Sequence, residues 1–336
     1  MYRIGMCLVL CFVLLVGTLS HIVIAGDRFG IGTATAAGET EGGSLVDITR
    51  PDEGYTAVLY NNRNGLSTSE ANAIVQTADG FIWIGCYSGL IRYDGSTFER
   101  MDSTTGIASV VSLFEDSKNR LWVGTNDAGL AVFDKGNVRM FRTEDGLKSL
   151  SVRTITEDKK GNIYVGTTRG VTEIDEGMVL RPLENASIRD VYVRDMATGE
   201  DGIIYSVTQD GIVFTLENGT LSGTYDLATA GIEGVATVCP DPDVPGNVYL
   251  GTEEGVFYGK LATNQQNWTR IRTGELGRVN EIIKIEDVLW FCAQNGIGYY
   301  MNGEFQKLDN VPMKKGSVEH MIGDYQGTTW STSSRA

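Results

Sequence analysis

An aromatic residue returns down this chain at nearly constant spacing, each time inside the same short pattern. Trp83, Trp122, Tyr164, Tyr205, Tyr249, Trp290 and Trp330 stand 39, 42, 41, 44, 41 and 40 residues apart. A repeat of about 40 residues made of short strands marks a β-propeller, one blade per repeat. So short a unit cannot bury its apolar face alone and must stack on its neighbours. Seven repeats predict an all-β, seven-bladed β-propeller with four-stranded antiparallel blades.

Each unit has a common grammar. About nine residues before the aromatic stands an apolar pair at spacing three: Ala71/Ile74, Val110/Leu113, Val152/Ile155, Val193/Met196, Val235/Val238, Val279/Ile282 and Val318/Met321. Residues three apart on an extended strand point to opposite faces, so each pair is expected to touch both neighbouring blades. A polar turn follows, such as Asp79-Gly80 or Asp158 to Asn162, where Asp, Asn and Gly supply turn geometry. The aromatic strand comes next, as in Leu121-Trp122-Val123-Gly124, then a turn glycine, a third strand and a weaker fourth. The chain's 42 Gly and 6 Pro suit many tight turns between hydrogen-bonded strands.

The run Asn64-Gly65-Leu66-Ser67, then Ile74, Trp83-Ile84-Gly85 and Gly89-Leu90-Ile91-Arg92-Tyr93-Asp94 resembles the two-component regulator propeller repeat. Leu121 to Thr125 and Ile163 to Thr167 carry the likeness into repeats two and three, and it extends over about 55–336. Repeat four departs, with Ser206-Val207 where Gly-Thr is usual, and repeat six has Phe291-Cys292. The resemblance implies an extracytoplasmic sensor propeller of the kind found in bacterial hybrid histidine kinases and diguanylate cyclases.

At the N-terminus, Ile4 to Ala25 is nearly unbroken apolar sequence behind Arg3. Residues 1–25 read as an apolar helix, either an export signal or a membrane anchor. Cys11 follows Leu10 rather than a small residue, which argues against a lipoprotein signal. Residues 26–54, rich in Gly, Thr, Ala and Glu, read as a flexible linker, and 55–336 as the propeller. The sequence stops soon after Trp330, so the last blade is expected to be incomplete and the chain a truncated piece of a longer receptor. Ala57 to Tyr60 then takes the place of a fourth strand for that last blade.

A net charge of −15 argues against nucleic acid and anionic membrane surfaces as partners of the soluble part. Cys86, Cys239 and Cys292 fall in different repeats and suggest no disulfide framework. No Cys/His zinc spacing occurs, and neither metal nor cofactor is expected. Asp241 to Gly246 lacks the oxygen ligands of a calcium loop and reads as a turn. Asp324 to Trp330 has one residue too many for a sialidase-type Asp box. The repeats distantly resemble streptogramin lyases, which use His chemistry. Outside the leader this chain offers only His320.

Propeller ligands meet the loops ringing the central channel. On the inner strands the candidate binding residues are Asn72, Arg153, Arg194, Asn280 and His320. In the surrounding turns they are Tyr87, Asn126, Arg169, Gln209 and Gln294. Their variety on a repeating scaffold predicts a polar recognition surface for a small polar ligand such as a sugar or oligosaccharide. The expectation is a non-catalytic, exported sensor, secreted or membrane-anchored, with receptor self-association as a further partnership. An extracytoplasmic hydrolase or lyase acting on glycans, and a protein-interaction scaffold, are the alternatives.

Overall fold

The structure, a computed structural model, describes residues 21–25, 56–63, 65–68, 70–101, 105–261, 268–309 and 316–334. It is an all-β propeller. Six regular blades each contain four consecutive antiparallel strands. Blade one runs from β3 (Ala73–Gln76) to β6 (Phe98–Arg100), and blade two from β7 (Val110–Glu115) to β10 (Asn137–Phe141). Blade three spans β11 (Val152–Glu157) to β14 (Leu180–Pro182), and blade four β15 (Val193–Thr198) to β18 (Thr220–Tyr225). Blade five spans β19 (Thr237–Pro240) to β22 (Thr269–Ile271), and blade six β23 (Val279–Ile285) to β26 (Glu304–Lys307). The first strands touch one another in a closed ring, completed by β27 (Ser317–Gly323) against β3.

The recurring aromatic is fastened to its own turn. Trp122 donates its indole N–H to Asp116 Oδ2 at 2.7 Å, while Asp116 Oδ1 accepts from the backbone of Lys118 and Arg120. Trp330 and Asp324 repeat this at 2.8 Å, and Tyr205 and Asp201 at 2.6 Å through the phenol. In blade one Thr77 Oγ1 accepts from Trp83 at 3.1 Å and itself bonds Asp79. The turn acids of the repeat are therefore structural acceptors. They satisfy both a buried aromatic N–H or O–H and the tight turn before it.

The apolar pairs differ from the sequence reading. Both members of each pair pack on the preceding blade: Val152 and Ile155 lie with Trp122, and Val193 and Met196 with Tyr164. The cause is a β-bulge between the two. Val152 faces Thr167 and Thr154 faces Gly166, leaving Arg153 as an extra residue, and the same register shift occurs in β7, β15, β23 and β27. In blades one and five, Asn72 and Ala236 donate backbone N–H groups to Gly85 and Gly251, which already face Ala73 and Thr237. One inserted residue reverses side-chain parity, so positions three apart return to the same face.

Opposite each bulge the aromatic strand has little room. A Cβ on Gly124 would stand 2.1 Å from Ser112 Oγ and 2.6 Å from Val152 Cγ1. Blade three's Gly166 meets Val193 Cγ1 at 2.8 Å in the same way.

The last sheet is the second departure. Instead of a seventh antiparallel blade there is a mixed sheet in the order β2–β1–β28–β27. Here β28 (Thr329–Ser334) is antiparallel to β27, but β1 (His21–Ala25) runs parallel to β28, and β2 (Thr56–Tyr60) parallel to β1. β2 is the outermost strand, where Ala57 to Tyr60 was expected. The third position is not empty, as the incomplete-blade reading required; β1 occupies it. The expected N-terminal helix is also corrected: residues 1–20 lie outside the described residues, and 21–25 are strand. Consecutive β-branched Ile22, Val23 and Ile24 favour that conformation. Among the described residues the helices are one-turn 3-10 segments, and none is long and apolar enough to cross a membrane. The expected linker at 26–54 also falls outside the described residues.

Overpacking predicts that Gly124→Ala destabilises the propeller by about 1–3 kcal/mol. Thermal unfolding should show a melt several degrees lower, whereas Gly136→Ala, whose added Cβ meets nothing within 4 Å, should show only the smaller cost of its positive φ.

Candidate functional site

The bulges place side chains around the axis. Arg153, Arg194, Asn280 and Glu319 are the extra residues of β11, β15, β23 and β27, and all four line a central cavity of about 400 Å3. A bulge re-aims its inserted residue away from the ladder, which is why it recurs at sites. The next residue on each strand forms a second tier: Thr154, Asp195, Glu281 and His320. Blades one, two and five contribute the small Ala73, Ser112 and Ala236. The cavity is therefore lopsided, polar at blades three, four and six and at the last sheet, and lined by small residues at blades one, two and five.

The second tier also binds the blades together. Thr154 Oγ1 accepts from Met196 N at 3.2 Å. Asp195 Oδ2 accepts from Val238 N at 3.0 Å and from Thr237 Oγ1 at 2.7 Å. Glu281 Oε2 accepts from Met321 N at 2.6 Å, and its Oε1 lies 3.2 Å from His320 Nδ1. Each bond reaches the following blade's inner strand, so these groups are held in place by the scaffold.

Burial raises the Asp195 carboxyl above the usual aspartate range, against the lowering effect of its two hydrogen bonds. For His320, burial works against the imidazolium, but Glu281, Glu319 and Asp195 prevail and raise its pKa. His320 keeps 40% side-chain exposure within the channel, so the neighbouring charges are the firmer influence. Arg194 is lowered, first by burial and then by the positive charge of Arg278. The Tyr192 ring lies 5.4 Å from the Arg153 guanidinium carbon.

The family model described as two component regulator propeller matches residues 65–88, 107–127 and 146–169, in blades one to three. The chain carries two-component regulator propeller repeats. No curated protein sequence matches it. Among solved structures it resembles the extracellular domain of a protein described as a hybrid two component system from B. thetaiotaomicron, with 19% identity and a TM-score of 0.65, over 82% of this chain and 39% of that one. It also resembles the extracellular domain of a B. thetaiotaomicron protein described as a one component system, with 14% identity and a TM-score of 0.62, over 76% of this chain and 37% of that one. The present chain thus spans about two-fifths of either relative. A catalytically inactive virginiamycin B lyase from Staphylococcus aureus with quinupristin is similar at 15% identity and a TM-score of 0.60, over 75% of this chain and 88% of that one. At these identities the likeness establishes the fold.

Of the residues that sequence reasoning nominated on these repeats, Arg153, Arg194, Gln209, Asn280 and His320 come together in the cavity lining. The other five do not line it. Asn72 is buried and donates to Val110 O at 2.9 Å, joining blades one and two. Asn126 supports the site from outside by accepting from Arg153 at 2.7 Å. Arg169 pairs with Asp190 at 3.7 Å, Tyr87 is an exposed turn residue, and Gln294 anchors its backbone N–H on Arg278 O. Sequence reasoning missed Tyr192 and Arg278. Both immediately precede an apolar pair, where four other repeats carry Ser109, Ser151, Gly234 and Ser317. Repeat one carries Glu70 there, so a bulky residue at a mostly small position was an available signal.

A raised folded pKa at Asp195 means the folded chain holds that proton more tightly than the unfolded chain. Stability from this group therefore falls as pH rises from about 3.9 through the folded value. Relative to wild type, Asp195→Asn should gain melting temperature between pH 4 and pH 7. A pH-independent difference would show that Asp195 carries no such burial effect.

Proposed function

We propose that this chain is the ligand-binding part of an extracytoplasmic sensor and takes a small polar molecule, such as a sugar or oligosaccharide, into its central channel without chemistry. The observation that carries this reading is the lopsided cavity of about 400 Å3, whose polar residues stand on bulges of an otherwise repeating scaffold. A scaffold that only filled space would gain nothing from a half-buried arginine on two successive inner strands. The repeat family and the extracellular relatives support sensing and an extracytoplasmic location. In a longer receptor, binding would bias how neighbouring domains pack and so pass the signal on. The open channel speaks against the protein-interaction scaffold.

One contact favours a second reading, an extracytoplasmic hydrolase or lyase acting on glycans: His320 Nδ1 lies 3.2 Å from Glu281 Oε1 inside the channel. A carboxylate orienting an imidazole is a general-base arrangement. Glu281 also holds Met321 N, which gives it a structural role that does not require turnover.

Thermal unfolding of the full chain, scanned against sugars, oligosaccharides, amino acids and organic acids, separates the readings. Sensing predicts a melting temperature raised by one class, and no such rise when the Arg153→Ala protein is exposed to the same class. A ligand at 100 times its Kd stabilises by about 2.7 kcal/mol. Turnover of a glycan, lost in His320→Gln, would instead establish the enzyme.

A further inference from the structure

Among the described residues, the three channel arginines hydrogen-bond to neutral partners. Arg153 donates to Asn126 Oδ1 at 2.7 Å and Ser151 Oγ at 2.9 Å, Arg194 to Gln209 Oε1 at 3.0 Å, and Arg278 to Asn280 Oδ1 at 3.2 Å. Arg153 Nε is buried without a hydrogen-bond partner among the described residues. Elsewhere the same chain pairs arginines readily: Arg120 with Asp116 at 2.6 Å, Arg92 with Glu99 at 2.6 Å, and Arg181 with Asp175 at 2.6 Å. With 43 Asp and Glu against 28 Lys and Arg, acidic residues are not scarce. Two channel acids are committed to the blades instead: Asp195 to Thr237 and Val238, and Glu281 to Met321 and His320.

Arg194 and Arg278 line the same cavity, and after burial the charge of Arg278 is the next influence that opposes the charge on Arg194. An anion between them turns that repulsion into charge-assisted hydrogen bonds. A carboxylate offers two oxygens in a plane, matching the guanidinium fork. The same cavity also presents Glu281, on the strand that Arg278 leads into, and Glu319 on the following inner strand. Their charge disfavours a second negative group and favours hydrogen-bond donors.

We propose that the channel is selective for a compact monocarboxylate bearing hydroxyl or ammonium donors, its carboxylate between Arg194 and Arg278 and its donors toward Glu281 and Glu319. A sugar acid and an α-amino acid share this chemistry. The proposal rests on the channel being a binding site, as the sensing reading holds.

Isothermal titration calorimetry on the full chain tests it, with D-glucuronate, D-galacturonate and L-glutamine as carboxylate probes. D-glucose, D-galactose and inorganic phosphate are the comparators. The expected result is binding of a uronate or of the amino acid, which tells the two sources apart, with the comparators at least tenfold weaker. Arg194→Gln and Arg278→Gln should each weaken binding at least tenfold, and Arg194→Lys should weaken it less. Arg169→Gln, outside the cavity, should leave it unchanged. Unaltered melting temperatures would show that these variants fold. Neutral sugars binding as tightly as their acids, or phosphate binding in place of carboxylates, would overturn the carboxylate assignment while leaving a channel site. Binding unaffected by both glutamine variants would move the site elsewhere. Failure of all three carboxylates overturns the inference, and failure of the wider ligand screen as well overturns the sensing reading.

Discussion

One extra residue on each inner strand governs the rest of this structure. Two residues oppose one where the inner strand meets the aromatic strand, and everything nearby follows from that mismatch. It turns both members of the apolar pair onto the preceding blade, so every blade is cemented to its predecessor by one two-point contact. In blades three, four and six and in the last sheet it sends the inserted residue to the channel, a different residue type from most of these to the next. It also explains the tight glycine opposite, since Gly124 faces Ser112 within its own blade and Val152 of the next. A single backbone device therefore separates a repeating exterior from a varied centre.

Two sets of hydrogen bonds keep this arrangement rigid. Within a blade the turn acid holds the aromatic, as Asp116 holds Trp122. Between blades, second-tier side chains such as Asp195 and Glu281 hold the next inner strand. Near the outer turns the pattern recurs: Glu115 accepts from Ala78 N and Glu157 from Ser117 N, while Gln76 accepts from Tyr325 N across the closing seam. The mixed last sheet is joined to blade one by apolar contact as well, with Trp330 packed among Ala71, Ile74 and Ile84. Fixed carboxylates and loosely partnered arginines in one cavity give the channel its character.

The aromatic spacing made the propeller legible because every blade needs the same covered core. Ala57 to Tyr60 was legible as an outer strand for the same reason. The bulge was not, since it leaves no glycine or other marker at Arg153 or Arg194. Its trace was the spacing of three itself, which a period-two strand cannot place on one face without an insertion. Four of the five inner-strand candidates reached the cavity because their position on the ring determines their direction, while Asn72 turned to Val110 O between blades one and two. Candidates in the turns depended on loop paths that local sequence does not specify, so Gln209 joined the cavity while Tyr87, Arg169 and Gln294 did not. His21 to Ala25 read as helix because apolar composition alone does not distinguish a leader from a strand.

The most direct measurement of the central claim is a crystal structure of the chain with a ligand found by solution screening. The account predicts density in the central cavity, in contact with bulge residues Arg153 or Arg194 and with the inner strands unmoved. A ligand seated on the outer rim or between two blades, with the channel unchanged, would contradict it.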